Sequence, residues 1–408
     1  MTKDIFKPAD ILLPKNVDFS KWSVIACDQF TSDPDYWKRV YETVGDRPST
    51  LNMIIPEARL NEVDEETAIE KIRRSMKEYL KQDLFSELKD SFIYAERTLP
   101  GGHIRRGLIG TVDLDEYDFS GADASILASE GTVVERLPAR IRIRRAAPLE
   151  SPHIIAFIND KEKTVIEQLG EKTDKLQQLY DFDLMEGGGH IRGKRVYGSD
   201  ADMVIAAMRE LYKKSDALMV IGDGNHSLAA AKVYWDELKK DLSADERTDH
   251  PAGRALLEIN NVFDPAINFE AIHRVLFDID TAGLISALKD RIPAGSDYEL
   301  RCVTKGQDGV IGVSAGCIGE MLSAVQSFLD EYVDKTGCRI DYIHEAGNVI
   351  CLAEADRNLG ILMPTMDKSE LFDTVLNSGV FPKKSFSVGH ARDKRYYLEC
   401  RAIRKGRL

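Results

Sequence analysis

Cysteine is scarce in this 408-residue chain, with six residues at 27, 302, 317, 338, 351 and 400 and no C-x-x-C spacing. That pattern excludes a standard zinc cluster and gives no sign of a disulfide framework. Long apolar runs are missing as well, since no stretch nears the roughly 20 residues that cross a bilayer. The N-terminal MTKDIFKPADILLP lacks the apolar region and cleavage site of a signal peptide, so the expected location is the cytoplasm. Positive charge is in deficit: 55 Lys and Arg stand against 68 Asp and Glu, a formal net charge of −13. That balance argues against general nucleic-acid binding, although a local basic patch can persist within it. There is no internal repeat and no low-complexity tract. A chain that is 43% hydrophobic and 30% charged is an ordinary globular composition, long enough for two domains.

The stretch that organises the rest is Leu218–Tyr234, LMVIGDGNHSLAAAKVY. Leu218–Ile221 reads as a short buried strand, Gly222-Asp223-Gly224-Asn225-His226-Ser227 as a turn, and Leu228–Tyr234 as the start of a helix. Strand, turn and helix in that order gather backbone N–H groups and the positive helix end at one point, which suits an anion. Gly222 and Gly224 let the backbone bend and approach a ligand, while Asp223, Asn225 and His226 bring a carboxylate, an amide and an imidazole. The plain alternative is a tight turn that only starts a helix.

A second stretch, residues 129–160, is dense in arginine. Arg140, Arg142 and Arg144 alternate with Ile141 and Ile143, flanked by Arg136 and Arg145. If the segment is extended, period-two geometry sends the three alternating guanidiniums to one face. Such a face suits phosphate or carboxylate, or it is a solvated strand neutralised by neighbours such as Glu130 and Glu135. Ile154–Ile158 and Thr164–Gln168 read as a hairpin turning at Asn159-Asp160-Lys161. Gly187-Gly188-Gly189-His190 is either an anion-binding nest or a flexible loop. His273 and Arg274 sit between apolar residues, where a structural role and a place beside a phosphate are both open.

Elsewhere the spacing predicts scaffold. Asp33-Pro34 starts a helix, Glu65–Leu88 has helical periodicity, and Ser91–Thr98 with Ile104–Val112 forms a hairpin that has Arg105 and Arg106 near its bend. Ala201–Tyr212 is a helix and Ala255–Val262 a strand; from about Asp280 helices and strands alternate until a final strand at Arg395–Ile403. The expected division is 1–280, carrying the anion-binding chemistry, and 281–408, whose last strands return to the core.

Nearly the whole chain resembles domain of unknown function family 1015. The resemblance is carried by Ser129-Glu130-Gly131-Thr132 with Arg136 and the arginine segment, Leu179–His190, GDGNHSLA, Glu270–Leu276 and Ser385–Ile403. Other branches read D-G-H-H-R at Asp223–Ser227, a form similar to the signature turn of the ParB/sulfiredoxin-like superfamily. Asp223 and His226 match it, whereas Asn225 and Ser227 depart from it. The resemblance implies an α+β fold, a mixed sheet core with flanking helices and a ParB/sulfiredoxin-like nucleotide-binding element, plus a second α/β half. It also implies small-molecule phosphotransfer, with free L-serine as acceptor and ATP, ADP or pyrophosphate as donor.

For that chemistry Glu130 or Asp223 would accept the hydroxyl proton with His226 beside them, and Mg²⁺ would bridge phosphate oxygens and a carboxylate. Arg136, Arg140, Arg142, Arg144, Gly222, Gly224, Asn225, Ser227, His190, His273 and Arg274 are the candidates for phosphate and substrate. The competing reading is a nucleotide- or anion-binding regulator of ParB-like type without turnover. Sulfiredoxin-like repair needs a reactive cysteine in the turn, and Gly222–Ser227 has none.

Overall fold

The computed structural model describes residues 4–31, 33–56, 64–119, 124–132 and 137–405. Two compact units emerge. One comprises Met1–Ala128, Thr132–Ile267 and His390–Leu408; the other comprises Ser129–Gly131 and Asn268–Gly389. Sequence reading places the division near 280, but the apolar strand His273–Phe277 already pairs within the second sheet, against Arg339–Ile343 and Leu359–Leu362. The chain's end goes back to the first unit, where Cys400–Ala402 pairs with Ala9–Pro14 and Leu149–Glu150.

The first unit is built on a mixed sheet. Its strands run in the order Tyr117–Asp118, Ile126–Ala128, Met219–Asp223, Ile155–Ile158, Arg254–Asn261, Ile104–Asp113, Phe85–Thr98, Ala9–Pro14, Cys400–Ala402 and Leu149–Glu150. The hairpin Gln177–Asp183 and His190–Val196 joins through Phe85–Thr98. The sheet buries two apolar clusters. Trp22, Tyr36, Trp37, Ile72, Met76 and Tyr79 belong to one, and Val204, Met208, Leu228, Ala231 and Trp235 to the other. Helix Pro34–Val44 starts as its sequence predicts, with the Asp33 carboxylate accepting from Tyr36 N–H at 2.9 Å and proline in the first turn. The expected mixed sheet with flanking helices is therefore observed.

Two expectations fail for identifiable reasons. The arginine segment is not extended but forms the helix Leu137–Ala146. Leu137 and Ile141, one helical turn apart, pack on Ala229 and Ala230 of helix Asn225–Leu238, whose small side chains allow close approach. Arginine is itself a good helix former, so the isoleucine alternation loses to this contact. The segment Thr164–Gln168 does not return as a strand either. Asp160 Oδ2 accepts from the amides of Thr164 and Val165 at 2.6 and 2.9 Å, and the chain turns into the short helix Glu167–Gly170. Ile155–Ile158 pairs instead with Met219–Asp223 and, in parallel, with Arg254–Asn261.

In the second unit an antiparallel sheet runs Gln307–Val313, Ala294–Thr304, Leu359–Leu362, His273–Phe277, Arg339–Ile343. Helices Thr281–Arg291, Ile318–Thr336, Ala346–Ala353 and Glu370–Ser378 belong to it. Ser129 and Gly131 join this unit through backbone hydrogen bonds to Phe381. Among the described residues, no helix is long and apolar enough to cross a membrane.

The first unit also buries charge. Glu258 accepts from Arg395 Nε at 3.0 Å and Asn260 Nδ2 at 3.0 Å, and Arg105 Nε lies 3.8 Å away. Burial acting alone would raise its pKa; Arg105 and Arg395 reverse that and hold it below the ordinary glutamate value. Arg395 also reaches Glu399 at 2.5 Å. Removing one member of such a set leaves uncompensated buried charge, so Glu258→Ala is expected to destabilise the protein by about 3–5 kcal/mol. Urea denaturation measures this; a loss under about 1 kcal/mol would mean water screens the cluster.

Candidate functional site

Met219, Val220 and Ile221 are fully buried between Ile126–Ala128 and Ile155–Ile158, which fixes where the following turn emerges. The ladder is irregular between Ile221 and Asp223. At Gly222 a side chain would have no room, because a Cβ would lie 2.2 Å from the Phe157 ring. Gly224 is left-handed, φ 83°, and a Cβ there would lie 2.9 Å from Ile154. Both glycines are therefore dictated by local geometry. Gly224 O accepts from Ser227 and Leu228 N–H at 2.9 and 3.1 Å, which starts the helix. Helix geometry provides no intrahelical carbonyl for the earliest N–H groups, and the positive dipole end lies here.

Asp223 is the centre of charge at this turn. Its Oδ1 accepts from the Gly224 amide at 2.9 Å, and its Oδ2 lies 3.1 Å from Lys394 Nζ. His153, next to the strand that pairs with Asp223, is partly buried and packs against Tyr397 at 4.9 Å between ring centroids. Burial pushes its pKa down to about 4; Asp223 opposes this, while Arg140, Lys394 and Arg395 add to it. The imidazole is neutral at pH 7. The charge of Arg140 on the arginine helix is thus felt at His153.

The segment carrying Lys394 is clamped by buried arginines. Arg97 donates to the carbonyls of Arg392, Asp393, Lys394 and Gly188, and Arg105 to that of Asp393 at 2.6 Å. Burial, helped by the nearby Arg105 charge, lowers the Arg97 pKa to about 9. The His390 N–H donates to Asp393 Oδ2 at 2.9 Å, closing the same turn.

The sequence matches, over residues 7–364, the family described as "Protein of unknown function (DUF1015)". The chain belongs to this family. No curated protein matches it. Among solved structures it is similar to a free serine kinase mutant in complex with ADP, at 12% identity and a TM-score of 0.40, covering 72% of this chain and 91% of that one. It is also similar to SbnI with a C-terminal truncation from Staphylococcus aureus, at 10% identity and 0.38, covering 69% and 82%. A conserved hypothetical protein from Pyrococcus furiosus is similar at 14% identity and 0.34, covering 71% and 90%. Likenesses this distant assign no ligand or activity to the DUF1015 chain.

The arginine helix of this DUF1015 protein disperses its side chains. Arg142 pairs with Glu65, Arg144 turns inward to Glu150 at 2.6 Å, and Arg145 pairs with Glu237. The single arginine face expected from an extended segment does not form. Glu135 and Arg136 lie outside the described residues. His190 sits on its hairpin between Asp183, 2.7 Å from Nδ1, and Asp181, 2.5 Å from Nε2. Glu130, His273 and Arg274 belong to the second unit. His273 Nδ1 accepts from Met363 N–H at 3.0 Å. Arg274 is fully buried, donating to Gln326 Oε1 at 3.2 and 3.0 Å and to Ile272 O, with Asp330 and Glu130 among the charges that offset its own. The turn thus gathers Gly222, Asp223, Gly224, Asn225, His226 and Ser227, and the Arg140 charge acts on neighbouring His153. Lys394 and His153 are the residues that sequence reading did not select.

The two histidines should respond oppositely to pH. His190 has its pKa raised, mainly by the Asp183 hydrogen bond against partial burial, with Asp181 adding to it. Its stabilising contribution is complete below the ordinary value of 6.5 and is lost as pH rises through the raised value. His153 is the reverse: its contribution is present above 6.5 and is lost as pH falls toward about 4. NMR titration of the imidazole carbons checks both, and a His153 ring that protonates near 6.5 would contradict the buried, cation-flanked environment.

Proposed function

We propose that this chain is a small-molecule phosphotransferase that uses the turn Gly222–Ser227 to hold the transferring phosphate. The acceptor implied by the similarity of this turn to the ParB/sulfiredoxin-like signature is the hydroxyl of free L-serine, and the donor is ATP, ADP or pyrophosphate. The observation that carries the reading is Asp223, a carboxylate at a helix start and 3.1 Å from the Lys394 ammonium. Phosphoryl transfer requires a positioned nucleophile and neutralisation of phosphate charge more than covalent chemistry by the protein. An acid, a cation and a helix end are groups of that kind.

In this reading the serine oxygen attacks the terminal phosphorus of the donor. The bond from that phosphorus to the bridging oxygen breaks, releasing the shortened nucleotide or, from pyrophosphate, orthophosphate. Asp223 accepts the hydroxyl proton. His226, at the second position of the helix, and the N-terminal amides face the phosphoryl oxygens, and Asn225 and Ser227 contribute polar contacts. His153, neutral at pH 7, adds no charge, so the positive potential comes from Lys394 and the helix.

Among the described residues, no group of three or more His, Cys, Asp or Glu is placed to hold a metal by itself. One carboxylate is, however, the usual protein share of a Mg²⁺ that arrives on phosphates. Asp223 is engaged with Gly224 N–H, Lys394 and the acceptor proton, so such an ion would be held mainly by the phosphate oxygens, whose charge it would spread.

Purified protein incubated with serine and each of ATP, ADP and pyrophosphate should yield phosphoserine, detected by mass spectrometry. Asp223→Asn should reduce the rate by at least about a hundredfold. Tight ADP binding with no phosphoserine from any donor would instead support the regulator without turnover.

A further inference from the structure

The turn Gly222–Ser227 contains an acid, an amide, an imidazole and a hydroxyl, but no lysine or arginine. A doubly or triply charged phosphate needs more than the partial charge of one helix end. The side chain that meets this need comes from near the C-terminus. We propose that Lys394 is a phosphate-binding residue of this site, donating to the phosphoryl oxygens while keeping contact with Asp223. The proposal rests on the phosphotransfer reading above and names the residue that gives the site its full positive charge.

Its geometry is specific. Lys394 Nζ stands 3.1 Å from Asp223 Oδ2, and an ammonium has three donors, enough to span a carboxylate and a phosphate oxygen together. The side chain is only 11% exposed, so the ammonium acts where water screens it weakly. The backbone at Lys394 is extended, φ −66° and ψ 159°. In that conformation successive side chains point apart. Arg395 enters the buried cluster of Glu258 and Glu399, and Lys394 turns to Asp223.

The supporting structure is more costly than a loop needs. Arg97 is 3% exposed, yet it spends its guanidinium on the carbonyls of three consecutive residues ending at Lys394. Arg105, equally buried, takes the middle carbonyl as well. Two desolvated arginines fixing three peptide groups remove the freedom that would let Lys394 leave the turn. A group that binds a transferring phosphate gains from being held this way.

The plain alternative is that Lys394 only neutralises Asp223. Calorimetric titration of the full chain with pyrophosphate separates the two through a double-mutant cycle. Lys394→Met is expected to weaken binding by about tenfold or more, and Lys394→Arg to keep most of it. Asp223→Asn, which removes a negative charge, should bind at least as well as the unaltered chain. The double variant K394M/D223N should remain about tenfold or more weaker, because the phosphate donor is gone. Wild-type affinity in the double variant would overturn the proposal, since the lysine would then matter only as counter-charge. If K394M alone fails to fold by circular dichroism, K394R and the charge-balanced double variant still decide the question. An unaltered chain that binds neither pyrophosphate nor ADP overturns the phosphotransfer reading, and this proposal with it. Binding by the unaltered chain that is undiminished in K394M overturns this proposal alone.

Discussion

The contact on which the candidate site depends is the grip of Arg97 on the carbonyls of Arg392, Asp393 and Lys394. A short peptide segment has no hydrogen-bonding ladder of its own, and buried carbonyls left without donors are costly. Arg97, on Phe85–Thr98, and Arg105, on Ile104–Asp113, provide those donors from the middle of the sheet. The result links neighbouring strands to a segment almost 300 residues later in the chain. Asp223 receives its ammonium because that link holds.

Burying this many guanidiniums is tolerable only as a network. Glu258 and Glu399 offset Arg395, with Arg105 also beside Glu258. Tyr180 donates to Glu399 at 2.6 Å, and burial beside that carboxylate raises the tyrosine pKa well above its ordinary value. The cluster places charge behind the turn that carries Lys394, and its Arg395, with Arg140 and Lys394, adds to the burial that keeps His153 neutral. In the second unit, by contrast, Arg274 is satisfied by an amide, a carbonyl and the Tyr342 ring at 5.3 Å. It reads as a core pin of that unit.

Part of this was visible in the sequence. The strand–turn–helix at Leu218–Tyr234 was legible because an apolar run, two glycines and an alanine-rich segment each carry a local signal. The arginine segment misled because Arg-Ile alternation mimics a strand, while the contact that decides it, Leu137 and Ile141 on Ala229 and Ala230, is tertiary. His190 stood beside a glycine run, but its partners are the aspartates of the paired strand. Arg105 read as a residue near a hairpin bend, and nothing local marked it as buried. Lys394 was invisible as a site residue: it lies 171 positions from Asp223, and only the returning C-terminal segment brings them together.

The proposed site requires an anion to bind at this turn, between the helix start and Lys394. Its most direct test follows backbone amide resonances by TROSY NMR as ADP is added. The largest shifts are expected on Gly224, Asn225, His226 and Lys394. Saturable ADP binding that leaves those four amides unmoved, and shifts a different set, would contradict it.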